Sequence, residues 1–331
     1  MKERDVTDRI LDLAVIGAGP CGLAVGVAAR QAEMTAAIFD RGNVTNGLLG
    51  YPIGMTFFST PENLEIGGLP FICAAAKPTR EEALKYYRRI AQHFDLDIRA
   101  YEEVVGVTGE RGAFSLTTRR RSGAGAAHRA RCVVVATGYF DTPNLLDVPG
   151  EDLPNVTHYF REPHPYFDQR CVVVGGGNSA AEAALDLYRA GEQVTLVHFL
   201  ADLDPGIKPW VRPDIENRIR DGSIAARFET RVSEIGPDYV RLRSGKNGAE
   251  ERLANDWVFA MTGYTPDTSF LRRLGVAVDK ATAVPRHDPS SLETNVPGVY
   301  IAGVIAAGKD ANRLFIENGR FHGEKIVASL R

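Results

Sequence analysis

Residues 17–22 of this 331-residue chain read Gly-Ala-Gly-Pro-Cys-Gly and match the pattern G-x-G-x-x-G. The residues before them, LDLAVI at 11–16, predict a short buried strand, and the alanine-rich residues after them predict an amphipathic helix to about Glu33. A second strand is predicted at 35–40. This order of strand, glycine turn, helix and strand is the first half of a βαβ unit.

Each glycine of this turn has a physical role. Gly17 permits the tight turn, Gly19 lets a pyrophosphate approach the backbone, and Gly22 lets helix and strand pack closely. The phosphates would then face the unsatisfied N–H groups at the helix N-terminus. Asp40 ends the second strand, 18 residues after Gly22, where an acid binds ribose hydroxyls. The segment therefore predicts a dinucleotide site.

The same order of elements recurs about 158 residues downstream. Residues 175–180 form a second glycine turn, preceded by a predicted strand at 170–174 and followed by a helix at 181–190 and a strand at 193–198. The pattern positions hold two glycines and an alanine, and alanine is permitted at the third. Two such units indicate two bound nucleotides.

The second strand of this downstream unit ends without an acid. His198 stands there instead, and the absence of a carboxylate leaves room for a 2′-phosphate. Lys208 and Arg212, in the stretch IKPWVRPD, are candidate cations for that phosphate, and solvation at the surface is the alternative for both. The pattern favours NADPH over NADH.

The residues between the two units predict further regular structure. Residues 83–94 predict a helix. Residues 104–109, 114–120 and 128–131 predict an antiparallel meander that leads into an apolar strand at 132–136.

Two predicted strands end in the dipeptide Thr-Gly, at 137–138 and at 262–263. We interpret them as crossings between domains, so that the second unit is inserted into the first. One domain would then consist of 1–141 and 261–331, and the inserted domain of 142–260.

Length and composition narrow the class of protein. The length suits two domains rather than one. A net charge of −3 without a basic domain argues against nucleic-acid binding, and the longest apolar runs are strand-length, which argues against a membrane span. The four cysteines include no C-x-x-C pair, which is typical of the reducing cytoplasm, and no cluster has metal-ligand spacing.

Two nucleotide sites in one chain point to hydride relay, in which a nicotinamide delivers two electrons to a flavin. We place FAD at the N-terminal turn, because the C-terminal segment returns to complete that domain, and NADPH at the second turn. The residues expected to contact FAD are Gly17, Gly19, Pro20, Cys21, Gly22, Asp40, Thr137, Gly138, Gly263, Gly303 and Val304. The residues expected to contact NADPH are Gly175, Gly177, Asn178, Ser179, Ala180, His198, Lys208 and Arg212.

The layout resembles the low-molecular-weight thioredoxin reductase-like flavoproteins and, within them, the bacillithiol-disulfide reductase family. The resemblance covers nearly the whole chain, and several long blocks in the same order carry it. These blocks are GAGPCGLAVGVAA at 17–29, GYPIGMTFFSTPENLEIGGLPF at 50–71, KPTREEALKYYR at 77–88, HYFREPHPYF at 158–167, VVVGGGNSAAEAALDL at 172–187, IKPWVRPD at 207–214 and FIENGRFHGEKI at 315–326.

This resemblance implies an α/β fold of two Rossmann-like dinucleotide-binding domains, with the NADPH domain inserted into the FAD domain. It implies FAD and NADPH as cofactors and a small-molecule thiol disulfide, such as bacillithiol disulfide, as substrate. It also implies a role for Cys21, because the family has a cysteine at that position. No nucleic-acid or membrane partner is expected. A homodimer or larger homo-oligomer is expected, because symmetric oligomers are common among such enzymes.

Two features depart from related families. Thioredoxin reductases carry a redox-active C-x-x-C in the NADPH domain, and this chain has none, so reduction of thioredoxin by the dithiol route is not expected. Val304 stands where many FAD enzymes of this fold have an Asp after Tyr-Ile-Ala-Gly, so the flavin needs another partner there.

Cys21 is the candidate catalytic residue. The first turn of a helix lowers a thiol pKa, whereas burial and the charge of the FAD pyrophosphate oppose ionisation. We expect disulfide exchange at Cys21 with formation of a mixed disulfide, and a packing role is the alternative. Glu317, Asn318, Arg320 and His322 follow the segment expected under the flavin ring, and some of them are expected to contact flavin or substrate.

Two other functions use the same motifs. One is an NADPH–ferredoxin or flavodoxin reductase, which would need no Cys21. The other is a non-enzymatic redox sensor that binds both cofactors and turns over slowly. The glycine turns do not separate these functions, because a fold does not fix a function.

Overall fold

A computed structural model describes residues 10–310 and 313–331. The strands are β1 (Ile10–Ile16), β2 (Ala36–Asp40), β3 (Asp97–Ala100), β4 (Glu102–Thr108), β5 (Phe114–Arg120), β6 (Gly125–Val135), β7 (Val156–Thr157), β8 (Arg170–Val174), β9 (Gln193–Val197), β10 (Ala225–Arg227), β11 (Thr230–Ile235), β12 (Tyr239–Ser244), β13 (Glu250–Ala254), β14 (Trp257–Ala260) and β15 (Val299–Ile301). The helices are α1 (Pro20–Gln31), α2 (Asn46–Leu49), α3 (Pro61–Leu64), α4 (Arg80–His93), α5 (Asn178–Ala190), α6 (Arg212–Arg220), α7 (Ser269–Arg273), α8 (Ile316–Gly319) and α9 (His322–Leu330), with 3-10 turns at His164–Tyr166 and Val304–Ala307.

The described residues form two compact units. The first contains the residues up to Gly50, Gly54–Thr142 and the residues from Tyr264 onward. The second contains Tyr51–Ile53 and Pro143–Gly263. The second unit therefore interrupts the first in the sequence, and each has its own sheet and apolar core.

The first unit is built on a seven-stranded sheet in the order β3-β2-β1-β6-β5-β4, with β15 also paired to β6. Strands β1, β2, β3 and β15 are parallel to their neighbours, whereas β4, β5 and β6 form the antiparallel meander predicted from the sequence. The strands predicted separately at 128–131 and 132–136 form one continuous strand, β6 (Gly125–Val135). Its outer half pairs with β5 and its inner half with β15, so one strand serves both parts of the sheet.

Helix α1 differs from the amphipathic helix that the sequence predicts. Every residue from Gly22 to Ala29 is buried, because the helix lies against the sheet on one side and against α9 on another. A helix buried all round needs small side chains where a neighbour comes close. A Cβ at Gly323 of α9 would lie 2.5 Å from the carbonyl oxygen of Ala24, so glycine is required at that crossing.

The second unit contains a five-stranded parallel sheet in the order β10-β9-β8-β14-β7. Its core joins the inner face of α5 to the sheet, with Val173, Leu187 and Phe259 fully buried. The predicted strands at 170–174 and 193–198 are confirmed as β8 and β9, and the strand predicted just before Thr262–Gly263 is confirmed as β14. The three apolar strands are covered on one face by α5 and on the other by a second sheet, which is why they read as continuous apolar runs.

A three-stranded antiparallel sheet, β11-β12-β13, also belongs to this unit and was not predicted. Val240 and Leu242 alternate with exposed arginines along β12, which is the pattern of a sheet with one wet face. Its apolar face packs beneath β8, with Val172, Val232 and Val258 in one cluster.

The predicted helix at 83–94 is present as α4, which begins three residues earlier, at Arg80. Thr79 caps it by accepting from the Glu82 backbone N–H at 3.2 Å, and the Glu82 carboxylate accepts in return from the Thr79 N–H at 2.8 Å. This reciprocal capping box fixes the start of the helix. Across residues 10–310 and 313–331, none of the helices combines the length and apolar character that crossing a bilayer requires.

Candidate active site

The N-terminal glycine turn, residues 17–22, is held by backbone contacts that only glycine permits. Gly17 has φ +113° and donates its N–H to the Phe39 carbonyl at 2.7 Å. A Cβ at Gly17 would lie 2.3 Å from the Ala136 carbonyl oxygen, and one at Gly22 would lie 1.9 Å from the Gly17 carbonyl oxygen. The turn is therefore pressed between the ends of three strands and the start of α1.

Gly19 is open where its neighbours are crowded. It is the N-cap of α1 with φ −70° and ψ 174°, and no heavy atom of the described residues lies within 4 Å of where its Cβ would be. Pro20, the first helical residue, has no N–H to satisfy. The remaining orphan N–H groups of the first turn face this space, which suits a pyrophosphate. The residues present therefore fit a dinucleotide such as FAD.

Asp40 closes the turn from the neighbouring strand. Its carboxylate accepts from the Ala18 N–H at 2.8 Å and from the Gly42 N–H at 2.7 Å. Burial raises the pKa of Asp40, and these two hydrogen bonds oppose that rise. Each carboxylate oxygen retains a lone pair, so Asp40 can also accept from a ribose hydroxyl.

The C-terminal segment completes this edge of the sheet. Ala302 donates its N–H to the Val135 carbonyl at 2.9 Å, which sets Gly303 directly against Cys21. A Cβ at Gly303 would lie 3.0 Å from the Cys21 sulfur, and one at Gly319 only 2.7 Å from it. The thiol is therefore enclosed by two glycines that lie almost three hundred residues further along the chain.

Three other predicted residues lie at the same edge. Thr137 is exposed at the end of β6, and Gly138, with φ +74°, has open space where a side chain would be. Val304 follows Gly303 and begins a 3-10 turn in which Ile305 is buried. The structure thus brings together the N-terminal turn, Asp40, the Thr137–Gly138 pair and the start of the C-terminal segment.

Cys21 as a whole residue is partly exposed, but its thiol is buried, and this burial raises the pKa of the thiol to about 12. This is the opposite of the lowering expected from the helix N-terminus, because desolvation outweighs the helix dipole. The thiol is protonated at neutral pH.

His322 stabilises the backbone beside Cys21. The Gly303 N–H donates to His322 Nδ1 at 3.1 Å, which requires a neutral imidazole with its proton on Nε2. Burial lowers the pKa of His322 to about 4, and the charges of Lys325 and His287 lower it further. The imidazole therefore holds Gly303 as an uncharged acceptor.

Arg320 and Glu317 bind neighbouring segments. Arg320 Nη1 donates to the Glu62 and Glu65 carbonyls at 2.7 Å each. Glu317 accepts from the Ser59 hydroxyl. Both side chains therefore hold α8 against the segment around α3.

The second glycine turn, residues 175–180, repeats the strand-to-helix junction. Gly175 has φ +145°, and a Cβ there would lie 2.4 Å from the Met261 carbonyl oxygen and 3.1 Å from the Ala180 Cβ. Gly177 is the N-cap of α5, and the nearest atom to its missing Cβ is Asp204 Oδ2 at 3.2 Å. The close packing and the free helix N-terminus fit a second dinucleotide, such as NADPH.

Side chains at the start of α5 organise the following loop. Asn178 donates to the Gly206 carbonyl at 3.1 Å and accepts from the Lys208 N–H at 2.9 Å. Arg212 donates to Glu216 at 2.6 Å and to the Asp204 carbonyl at 2.7 Å. The Arg212 guanidinium is thus engaged by its own helix, α6, and by the loop before it. Ser179 is exposed on the first turn of α5.

His198 lies beneath the second turn. Its side chain is 3% exposed, and a Cβ at Gly176 would lie 2.4 Å from its Nε2. Burial lowers the pKa of His198, and the Asp204 carboxylate, 3.5 Å from Nε2, opposes that lowering. Asp204 is thus an acid close to this turn that the sequence did not indicate, because it lies in a loop and not at the end of a strand.

Gly263 belongs to the second unit, although the predicted boundary placed it in the first domain. Its carbonyl accepts from the Asn144 N–H at 2.9 Å, and the Asn144 side chain donates to the Thr262 carbonyl at 3.1 Å. Among residues 10–310 and 313–331, no group of three or more His, Cys, Asp or Glu side chains is placed to hold a metal ion.

Comparison with known proteins identifies the family of the chain. A family model described as "Pyridine nucleotide-disulphide oxidoreductase" matches residues 14–303. The chain is 44% identical over 317 residues to the bacilliredoxin reductase Bdr of Bacillus subtilis, covering 96% of each chain. It superposes on the bacillithiol disulfide reductase Bdr of Bacillus cereus with a TM-score of 0.95 at 42% identity, covering 97% and 99% of the two chains.

A more distant structure shows the fold alone. The thioredoxin reductase of T. acidophilum superposes with a TM-score of 0.77 at 23% identity, covering 98% of each chain. The predicted fold class, two Rossmann-like domains in a thioredoxin reductase-like arrangement, is thereby confirmed.

Two alanine substitutions in the N-terminal turn should separate cofactor binding from folding. Gly19→Ala places a methyl group in open space, so the protein should fold normally but lose FAD, because the methyl group fills the phosphate cradle. Gly22→Ala places its methyl group against the Gly17 carbonyl and should lower the free energy of unfolding by about 1–3 kcal/mol. Flavin absorbance per polypeptide and urea unfolding measure the two effects. Full FAD content in Gly19→Ala would show that the phosphates lie elsewhere.

His322 should make the stability of the first unit depend on pH. The unfolded chain binds a proton at this residue near pH 6.5 and the folded protein only near pH 4, so stability is complete above pH 6.5 and falls as pH drops toward 4. The loss should reach about 3 kcal/mol. In His322→Asn the amide oxygen can accept from Gly303 without titrating, so the difference in unfolding free energy between neutral pH and pH 4 should shrink. His93→Asn, at an exposed position, is the control; an equal effect of both variants would contradict this role.

Proposed function

The chain belongs to the pyridine nucleotide-disulphide oxidoreductase family, and we propose that it uses NADPH to reduce the disulfide of a low-molecular-weight thiol such as bacillithiol. It is an FAD- and NADPH-dependent oxidoreductase, which confirms both cofactors predicted from the sequence. The predicted resemblance to the bacillithiol-disulfide reductases is also confirmed.

The observation that carries this proposal is identity of 44% along 96% of the chain to a reductase of the Bdr type. The similarity is not restricted to the glycine turns, which many flavoproteins share. It extends through the residues that enclose Cys21 and through the loop after β9. The chain also has no C-x-x-C, so a dithiol within the NADPH domain does not compete as the route to substrate.

We assign FAD to the N-terminal turn and NADPH to the second. Gly19 and the first turn of α1 support the first assignment, because they offer N–H groups over open space at the edge completed by the C-terminal segment. Gly177 and the first turn of α5 support the second. FAD, when bound, accepts a hydride from NADPH and passes two electrons to the disulfide. The overall reaction consumes one NADPH, one proton and one disulfide and yields NADP⁺ and two thiols.

We propose Cys21 as the thiol that attacks the substrate disulfide. Its position in the turn, and the glycines at 303 and 319 that leave room for its sulfur, support a functional placement. Because burial holds its pKa near 12, attack requires removal of a proton that is firmly bound. The rate of the exchange step should therefore rise with pH through the neutral range.

The compartment and assembly are part of the proposal. All four cysteines are free thiols, which together with the use of NADPH supports action in a reducing cytoplasm. We propose a homodimer or larger homo-oligomer, the common state of enzymes of this kind.

Steady-state NADPH oxidation with several acceptors tests the proposed substrate. We expect brisk turnover with bacillithiol disulfide and slower turnover with other small disulfides, ferredoxin and flavodoxin. Two thiols should appear for each NADPH consumed. Bacilliredoxin in oxidised form is a further acceptor to include, because one relative bears that name. Brisk turnover with ferredoxin alone would favour the ferredoxin reductase, and slow turnover with every acceptor would favour a sensor.

Replacing Cys21 tests its role separately. Cys21→Ala fits the space between the two glycines, so the protein should fold and retain FAD. Turnover of the disulfide should fall to the uncatalysed background, whereas NADPH oxidation by a quinone should persist. Cys73→Ala, in a loop, is the matched control and should keep disulfide turnover. Undiminished disulfide reduction by Cys21→Ala would rule out exchange at this residue.

A further inference from the structure

We infer that Arg231 binds the 2′-phosphate of NADPH and so determines the preference of this enzyme for NADPH over NADH. The inference rests on the proposed NADPH site at the second glycine turn. Arg231 lies on β11, whereas Lys208 and Arg212, the cations that the sequence indicated, lie in the loop after β9 and at the start of α6.

Arg231 is held beside the end of β9. The His198 N–H donates to the Arg227 carbonyl at 3.0 Å, and the Thr230 N–H donates to the His198 carbonyl at 3.0 Å. Arg231 is therefore the residue after Thr230, whose N–H is bonded to His198, the residue that follows β9. In a βαβ nucleotide site, the end of the second strand is where the adenosine ribose is recognised.

The residues at the strand end cannot themselves bind a phosphate. His198 is buried beneath Gly176, and burial lowers its pKa, so it is uncharged at neutral pH. Phe199, the next residue, is apolar and half exposed. A cation at this position must therefore come from a neighbouring segment.

Arg231 supplies that cation in a suitable orientation. Its Cζ lies 4.5 Å from the centroid of the Phe199 ring, so the guanidinium stacks on the ring face. Stacking restrains the planar group while its N–H edges stay free for an anion. A guanidinium held in this way can bind a phosphate with two parallel hydrogen bonds.

The charges around Arg231 also favour an anion. No ion pair within residues 10–310 and 313–331 involves Arg231, whereas Arg212 is paired with Glu216. Arg231 is directly opposite Arg243 in the β11–β12 register, and like charges in that relation repel. A bound phosphate would relieve the repulsion. The Asp204 carboxylate lies near Gly177 and His198 and would repel a phosphate placed there. The 2′-phosphate is therefore better placed near Arg231.

Calorimetric titration of the FAD-loaded protein with 2′,5′-ADP and 5′-AMP tests the inference directly. These probes differ only in the 2′-phosphate. Arg231→Ala should weaken 2′,5′-ADP binding by about 10- to 100-fold and leave 5′-AMP binding unchanged. Arg231→Lys should recover part of the loss. Arg220→Ala, which removes an exposed arginine from the end of α6, is the matched control and should change neither affinity.

Kinetics give a second readout. In Arg231→Ala the KM for NADPH should rise toward that for NADH while kcat with either nucleotide stays near the wild-type value, because the phosphate contact is made equally in ground and transition states. Equal weakening of both probes would show a packing role and overturn the inference. Loss of the preference in Lys208→Ala instead of Arg231→Ala would also overturn it. If the wild type binds neither probe, the proposed NADPH site itself is wrong.

Discussion

The close approach of one backbone segment to another at the glycine turns is the constraint on which the rest of this structure depends. At the first turn a helix begins so near its preceding strand that a Cβ at Gly22 would overlap the Gly17 carbonyl. At the second, Gly175 lies equally close to the Met261 carbonyl. These approaches set the first turns of α1 and α5 over the ends of parallel strands. The first turn of α1 faces open space at Gly19, and the first turn of α5 has no side-chain cap, although Asp204 lies near Gly177. The uncapped N–H groups of both turns suit a nucleotide phosphate.

The C-terminal segment, which returns to the first unit, changes the protonation of the side chains at the first site. Strand β15 pairs with β6, and the segment after it encloses Cys21 between Gly303 and Gly319. The same enclosure desolvates both titratable groups beside the turn. The Cys21 thiol keeps its proton and the His322 imidazole stays neutral, since low-dielectric surroundings disfavour charge on either. Burial also raises the pKa of Asp40, and hydrogen bonds from the Ala18 and Gly42 N–H groups oppose that rise.

At the second site the charged side chains come from segments other than the strand end. The strand end holds a buried histidine and a phenylalanine, and the charged groups reach the turn from other segments. Asp204 comes from the loop after β9 and Arg231 from β11. If Arg231 binds the 2′-phosphate as proposed, specificity for a phosphorylated ribose depends on how the small antiparallel sheet is attached to the parallel one. This sheet packs beneath β8 through Val172 and Val232, so its position is fixed by the core.

The two strand–turn–helix units, their order, the acid at Asp40 and the family could all be recognised from the residues alone, because periodicity and glycine spacing are local properties of the chain. Only the tertiary structure decided the burial of α1 on all sides, the third sheet and the raised pKa of Cys21. It also brought Asp204 to the second turn and Arg231 to the end of β9. These outcomes depend on contacts between residues far apart in the sequence, and desolvation follows from what packs around a group and not from the residues next to it.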